Sequence, residues 1–206
     1  MVITIATILL AYILGSVPTA VWIGKARYNK DVREHGSGNA GATNTFRVLG
    51  WKPGVVVFLT DTVKGFLAVY FTQISGIASH EYAALFYIAA GLLAVLGHIY
   101  PILAGFNGGK GVATMLGVVL ALHAPGALIA LGVFAIVFFT TQYVSLGSLA
   151  SAVTYPLVIF VFFPETDLYL KSFAVILAAI LFLSHRGNIV RLVRGQESKA
   201  KIYGKR

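Results

Sequence analysis

The stretch from Val2 to Gly24 reads VITIATILLAYILGSVPTAVWIG and decides the fold class. It contains no charged residue and is longer than the roughly 20 apolar residues that a helix needs to cross a bilayer. Its apolar residues are continuous, whereas membrane β-barrel strands alternate apolar and polar residues. No basic residue precedes the run, and four follow it at Lys25, Arg27, Lys30 and Arg33. This order predicts an anchor with its N-terminus outside, not a cleaved signal peptide.

The composition of the whole chain gives the same answer. Of the 206 residues, 58% are hydrophobic and 11% are charged, whereas a soluble domain carries roughly 25% charged residues. So few charges exclude a soluble globular domain and a disordered chain. The sequence predicts an all-α, polytopic integral membrane protein that forms a single domain over residues 1–206. It has no cysteine, which excludes disulfides, thiolate metal sites and a cysteine nucleophile.

Six further apolar segments follow the first, so about seven transmembrane helices are expected. They are approximately Pro53–Ile77, Ala83–Leu103, Gly111–Leu122, Ala127–Gln142, Ser148–Phe163 and Ser172–Ser184. Of the 16 Lys and Arg residues, 14 lie in the odd-numbered loops and the tail, one (Lys171) in the even-numbered loops, and one (Lys64) in a span. Because basic residues are retained in the cytoplasm, the C-terminus is predicted to be cytoplasmic and the N-terminus outside. Nucleic acid is not needed to explain the net charge of +9.

The loop after the first span, residues 35–47, reads HGSGNAGATNTFR. Its glycines let the backbone turn tightly and present N–H groups. Ser37, Thr43 and Asn44 add polar side chains, and Arg47 adds a planar fork suited to phosphate. The pattern predicts an anion site, and a flexible polar linker is the alternative.

A second glycine-rich loop contains Gly108, Gly109 and Lys110 immediately before another apolar helix. It is not a Walker A loop, because Gly111 stands where that motif requires Ser or Thr. An anion site of another kind is predicted, and the alternative is a cationic stop at the membrane edge. The loop at Ser145 is a weaker candidate, since a polar turn with a helix cap would give the same residues.

The tail begins with His185 and Asn188, where the last span meets the cytoplasm. Beyond them, apolar residues share a helical face with Arg191 and Arg194 beside it, which is typical of an interfacial amphipathic helix.

Within the second span, Asp61 and Lys64 are three residues apart and can pair on one helix face. Charges at such depth are costly unless paired or facing a polar cavity. A structural pair and a pocket wall are equally supported, and His98 is similarly ambiguous. Glycines within the spans predict close helix packing at Gly15, Gly65, Gly91, Gly97, Gly117 and Gly132.

These polar groups concentrate at one predicted membrane face, whereas a transporter should show polar residues through its depth and at both mouths. They are rich in donors and cations but form no paired carboxylates for Mg²⁺. The sequence contains no H-E-x-x-H and no G-x-S-x-G, and no His is followed five positions on by Asp. A metal-free, anion-binding membrane enzyme that acts by orientation and electrostatics is predicted. A transporter or binding protein for an organic phosphate is the alternative.

Three long motifs resemble those of the bacterial acyl-phosphate:glycerol-3-phosphate acyltransferases, the PlsY family. They are GSGNAGATNTFR at 36–47, GHIYP at 97–101 with GGKGVAT at 108–114, and HRGNIVRLVRGQESK at 185–199. The segment DTVKG at 61–65 and the Ser145 loop resemble the intervening segments. The match covers nearly the full length, and three long motifs in order make it specific.

The resemblance implies transfer of a fatty acyl group from acyl phosphate to the 1-hydroxyl of glycerol 3-phosphate, giving lysophosphatidate and phosphate in bacterial phospholipid synthesis. It implies a multi-pass protein of the bacterial inner membrane, with a cytoplasmic active site, membrane lipid as its surroundings and no cofactor or metal. Arg47 and Lys110 would bind the phosphate of glycerol 3-phosphate, with Asn188 nearby. His185 is the candidate general base, although a donor phosphate oxygen could take the proton instead. The acyl phosphate head would be held by Ser37, Gly41, Thr43, Asn44, Gly108, Gly109, Ser145 and His185.

Overall fold

A computed structural model describes residues 2–200 of the chain, and this part of the protein is helical without any strand. The helices are α1 (Val2–Gly15), α2 (Thr19–Tyr28), α3 (Ala42–Leu49), α4 (Trp51–Thr72), α5 (Ala83–Ile99), α6 (Val112–Thr141), α7 (Val144–Phe162), α8 (Leu168–Ser184) and α9 (Arg186–Val193). Short 3₁₀ turns lie at Val32–Glu34 and Ile102–Ala104. The all-α prediction is confirmed for these residues.

Four helical segments, in which α4 and α5 are extended by the short helical turns that follow them, are long and apolar enough to cross a membrane. They are Trp51–Ile77, Ala83–Ala104, Val112–Thr141 and Val144–Phe162. Two bent pairs raise the number to six if each pair forms one span, namely α1 with α2, bent by 42°, and α8 with α9, bent by 63°. The first pair covers the predicted span Val2–Gly24, and its break precedes Pro18, which lacks a backbone donor. The count of seven and the orientation of the termini stay predictions.

The predicted spans Gly111–Leu122 and Ala127–Gln142 correspond to the two helices that make up the run α6, which meet at a kink without an intervening loop. Helical geometry fails only at His123, where φ is −156° and ψ is 80°. Pro125 does not end the run, because it lies in the first turn after this break, where its missing N–H has no helical partner to lose. The chain divides at the same point into two compact units: a first unit, Met1–His123, and a second unit, Ala124–Arg206.

Where helices of the first unit cross, a glycine of one helix lies against the backbone of the other. A Cβ built on Gly15 would lie 2.1 Å from the carbonyl oxygen of Ala94, and one on Gly97 would lie 2.3 Å from that of Tyr12. No real Cβ tolerates such distances, so α1 and α5 approach closely only because these residues are glycines. The predicted close packing is confirmed at both positions, and the same holds for Gly65 and Gly117, where α4 meets α6. At Gly132, by contrast, an added Cβ would meet nothing within 4 Å.

Candidate functional site

The glycine loop of the first unit is held from within by Asn44. This side chain is buried on α3, and its Oδ1 accepts a hydrogen bond from the Ser37 N–H at 2.8 Å. Its Nδ2 donates to the carbonyl oxygens of Val32 at 2.7 Å and His35 at 3.0 Å. Gly36 is required here, because its φ is +63° and a Cβ would lie 2.3 Å from Asn44 Oδ1. Asn44 therefore fixes the loop backbone, whereas the sequence had predicted it as a direct ligand of phosphate.

The side chains of Ser37, Thr43 and Arg47 are exposed on the outside of this loop and α3. Thr43 and Arg47 are four residues apart, so they share one face of α3. The helix begins after Gly41, which has no side chain to cap the first N–H groups. The helix thus offers backbone donors and a hydroxyl in its first turn and a guanidinium in its last turn, and groups of these kinds suit an anion.

The second glycine loop lies directly against the first. The Ala40 N–H donates to the carbonyl oxygen of Gly108 at 3.4 Å. Arg33 reinforces this contact, because its Nη1 donates to the carbonyl oxygen of Ala104 at 2.8 Å. The sequence had assigned Gly108 and Gly109 to the same site as the 35–47 loop, and the structure brings the two loops together. Lys110 follows them at the entrance to α6, where it is half-buried.

Arg33 is itself held by Asp31 through two hydrogen bonds, from Nε at 3.0 Å and from Nη2 at 2.8 Å. Lys25 adds an ion pair to the same carboxylate at 3.2 Å. The hydrogen bonds from Arg33 hold the pKa of Asp31 well below its ordinary value. Sequence reasoning gave Asp31 and Arg33 no role in the loop, since both look like ordinary residues after a membrane span.

Beneath the loops, Asp61 and Lys64 form a buried ion pair, with Nζ 2.8 Å from Oδ1. The Nδ1 atom of His98 lies 3.7 Å from the same oxygen. A small crevice is lined by these three side chains together with Ala40, Gly108 and Gly109. The residues therefore pair with each other, as one of the two interpretations expects, and they also line the crevice.

In the second unit, Ser145 and Asn188 meet at the carboxylate of Glu197. Ser145 Oγ donates to Oε1 at 2.8 Å, and Asn188 Nδ2 donates to the same oxygen. Arg191 Nε donates to Oε2 at 2.7 Å. Burial raises the pKa of Glu197, but these three hydrogen bonds outweigh it, so the pKa lies below its ordinary value. The sequence predicted Ser145 and Asn188 as ligands of phosphate and missed Glu197 as their common partner.

Two further contacts fasten the tail to the turn before α7. The Ala200 N–H donates to the carbonyl oxygen of Gln142 at 2.8 Å, and Lys199 Nζ lies 5.3 Å from the ring centroid of Tyr143. Together with the Glu197 cluster, they bring residues 196–200 back to the start of α7. Only the recurrence of polar residues in both segments signals this in the sequence.

His185 is buried at the end of α8. Its Nδ1 lies 2.9 Å from the carbonyl oxygen of Leu181, which can only accept a hydrogen bond. The neutral ring therefore carries its proton on Nδ1, and its basic lone pair is on Nε2. A histidine in this tautomer has the chemistry that a general base requires.

The fold and these loops define a class: a helical membrane protein whose polar side chains gather in glycine-rich segments between apolar helices. The family model for glycerol-3-phosphate acyltransferase matches residues 5–195. Glycerol-3-phosphate acyltransferases of Fusobacterium nucleatum and Geobacillus kaustophilus are each 44% identical, over 95% and 98% of this chain and 97% and 99% of theirs.

Solved structures agree with the sequence comparison. The chain is similar to the glycerol 3-phosphate form of PlsY, an integral membrane glycerol 3-phosphate acyltransferase, with a TM-score of 0.86 and 38% identity over 96% of this chain and 95% of that one. The lysophosphatidic acid form has a TM-score of 0.82 and 36% identity over 95% and 94%. The chain belongs to the glycerol-3-phosphate acyltransferase family. It is a multi-pass membrane protein, and the resemblance found in its motifs is confirmed.

Proposed function

We propose that this acyltransferase uses acyl phosphate as donor and acylates the 1-hydroxyl of glycerol 3-phosphate, giving 1-acylglycerol 3-phosphate and inorganic phosphate. The proposal rests on the contact between the two glycine loops of the first unit, which brings together the segments that carry Arg47 and Lys110. The relatives whose crystal forms are described with glycerol 3-phosphate and with lysophosphatidic acid support the acceptor and the product.

In the proposed reaction, the hydroxyl oxygen of glycerol 3-phosphate attacks the acyl carbon, and the bond from that carbon to the phosphate oxygen breaks. Phosphate departs with the electron pair, and the hydroxyl proton goes to His185 Nε2 or to an oxygen of the donor phosphate. Arg47 and Lys110 bind the acceptor phosphate and offset the repulsion between two anions, so no metal or cofactor is required. The two substrates gain reactivity chiefly from being held together.

The remaining residues divide between holding substrate and holding the site. Ser37, Gly41 and Thr43 bind the acyl phosphate head with the backbone of Gly108 and Gly109, while Asn44 keeps their loop in shape. In the second unit, Glu197 aligns Ser145 and Asn188, which serve the same reaction as phosphate ligands.

We place the enzyme in the bacterial inner membrane with these loops at the cytoplasmic face, because 14 of the 16 Lys and Arg residues fall in one set of loops and the tail. The lack of cysteine makes a direct test simple. Single cysteines at the exposed positions Glu34, Lys199 and Glu81 are treated in intact cells with an impermeant maleimide. Labelling of Glu81→Cys alone supports the orientation, and labelling of Glu34→Cys from outside contradicts it.

Purified protein in detergent tests the reaction itself. Phosphate release that depends on both acyl phosphate and glycerol 3-phosphate is expected, with acylated product in equal amount. Release with acyl-CoA as the better donor would contradict the donor assignment. No acyl transfer with either donor would revive the transporter alternative, which family membership does not favour.

A further inference from the structure

The buried residues Asp61, Lys64 and His98 connect three separate segments of the first unit. Lys64 Nζ donates to the carbonyl oxygen of Val17 at 2.9 Å, at the break between α1 and α2. Asp61 pairs with Lys64 on α4 and lies 3.7 Å from His98 Nδ1 at the end of α5. The three charged or ionisable side chains thus hold the break, α4 and α5 in one network.

The second glycine loop rests on the far side of this network. The Gly109 N–H donates to the carbonyl oxygen of His98 at 3.1 Å. A Cβ on Gly109 would lie only 2.1 Å from His98 Nε2, so the bare backbone of Gly109 sits against the imidazole ring. The position of the ring therefore sets the position of Gly109, and Lys110 is the next residue in the chain.

We propose that Asp61, Lys64 and His98 are positioning residues that set the Gly108–Lys110 backbone for binding glycerol 3-phosphate. The inference rests on the proposed function, in which Lys110 binds the phosphate of that substrate. Asp61 orients the ring of His98 from one side, the ring supports Gly109 from the other, and Lys64 fixes Asp61 against the break at Val17. None of the three touches substrate.

The cost of burying the pair supports a role beyond stability. Removing two charges from water costs several kcal/mol per ion, and apolar replacement of a whole buried pair is often neutral for stability. Removing one partner leaves an uncompensated buried charge, which destabilises strongly. The double variant Asp61→Asn with Lys64→Met is therefore the informative one, because it removes both charges together and keeps the side-chain volumes close to the original.

The test compares this double variant, His98→Gln and the control Thr60→Val in detergent. Thr60 is exposed on the same helix, and its hydroxyl bonds only within its own turn, to the carbonyl oxygen of Val56. Both network variants are expected to raise the KM for glycerol 3-phosphate by about tenfold or more, the scale of a small displacement of a binding group. The KM for acyl phosphate in both network variants and all values of the control should stay close to wild type.

An unchanged KM for glycerol 3-phosphate in either folded variant would overturn the inference, and so would equal increases in the KM for both substrates. Failure of both variants to fold would assign the network a purely structural role and overturn it as well. The shift of Tm with added glycerol 3-phosphate gives a second readout without turnover, since a ligand stabilises the state that it binds. If the wild type binds glycerol 3-phosphate but transfers no acyl group, the proposed reaction fails while this shift still decides the inference.

Discussion

The glycine loop of the first unit and the tail of the second are both held by one inward-pointing side chain, but the two side chains differ in charge. Asn44 holds the loop with three hydrogen bonds, all to backbone groups. Glu197 holds the tail with a carboxylate that accepts from Ser145, Asn188 and Arg191. The neutral amide of Asn44 adds no negative charge to its loop, whereas the carboxylate of Glu197 offsets the charge of Arg191. We therefore expect the first region to bind substrate anions and the second to align neutral donors and a base.

The largest effect should come from the cations of the first region. Lys110→Met and Arg47→Ala are each expected to lower kcat/KM for glycerol 3-phosphate by about a hundredfold to a thousandfold, because charge-assisted hydrogen bonds to a phosphate are lost in a water-poor site. Steady-state assays at varied substrate measure this. Lys52→Met is the control, since Lys52 is exposed on α4. Wild-type kinetics in either loop variant would refute the assignment of phosphate binding to this region.

In the second region, His185→Ala tests whether His185 or an oxygen of the donor phosphate removes the hydroxyl proton. A general base contributes about a hundredfold or more to the rate, so a loss of that size in kcat with unchanged KM values assigns proton removal to the imidazole. A loss below about tenfold assigns it to the donor phosphate, by the same scale. Single-turnover measurements keep product release from masking the chemical step.

Asn44→Asp tests the neutral side chain that holds the glycine loop of the first unit. The carboxylate keeps an acceptor for the Ser37 N–H but faces the carbonyl oxygens of Val32 and His35 without a proton to donate. Leaving buried groups unsatisfied in this way costs about 1–3 kcal/mol, so the Tm should fall and glycerol 3-phosphate binding should weaken. Asn39→Asp introduces the same charge on the same loop and serves as control. Equal behaviour of the two variants would show that charge alone, not the lost hydrogen bonds, causes the effect.

Glu197→Gln tests the charged side chain that holds the tail. A smaller loss of stability is expected than for Asn44→Asp, because the amide oxygen still accepts from Ser145 or Asn188. The loss of the ionic bond to Arg191 should destabilise the folded protein by about 1 kcal/mol and speed tryptic cleavage after Lys199. Glu165→Gln removes the same charge from an exposed loop and should change neither. If residues 196–200 stay protected in Glu197→Gln, the carboxylate does not hold the tail.

The smallest effect expected is the pH dependence of the stability that Glu197 contributes. The pKa of Glu197 lies below its ordinary value of 4.5, so its stabilising contribution is complete above that value and is lost as the pH falls through the lower folded pKa. The Tm difference between wild type and Glu197→Gln should therefore be constant from pH 7 to about pH 5 and disappear in more acidic solution. The corresponding difference for Asn44→Ala should persist into acid, because an amide does not titrate. If the Tm difference between wild type and Glu197→Gln persists equally in acid, Glu197 and Asn44 do not differ in the way proposed.

Much of this molecule can be predicted from apolar runs and glycine motifs. The helices follow from continuous hydrophobicity, and the contact between the 35–47 loop and Gly108 follows from two donor-rich motifs of one family. The direction of each polar side chain cannot be read in the same way. Asn44 and Thr43 are neighbours of similar polarity, yet one is buried and the other exposed, because the turn of α3 places only one of them toward the loop.

Contacts between distant segments are the other part that the sequence hides. Glu197 lies 52 residues from Ser145, and nothing in the local pattern of either residue identifies the other as its partner. His98 likewise meets Asp61 through the packing of α5 on α4, whereas the spacing of Asp61 and Lys64 alone was enough to predict their pairing. Local periodicity thus predicts partners on one helix, and partners on two helices require the tertiary structure.

The crossing of α4 and α6 has a consequence for how this chain can change. A Cβ on Gly65 would lie 2.1 Å from the carbonyl oxygen of Thr114, and a Cβ on Gly117 would lie 1.9 Å from that of Thr62. Each glycine therefore faces a main-chain atom that every amino acid possesses. No second substitution on the opposite helix can make room for an added methyl group, so compensation would require the whole helix to shift, and the loop that carries Lys110 would shift with it.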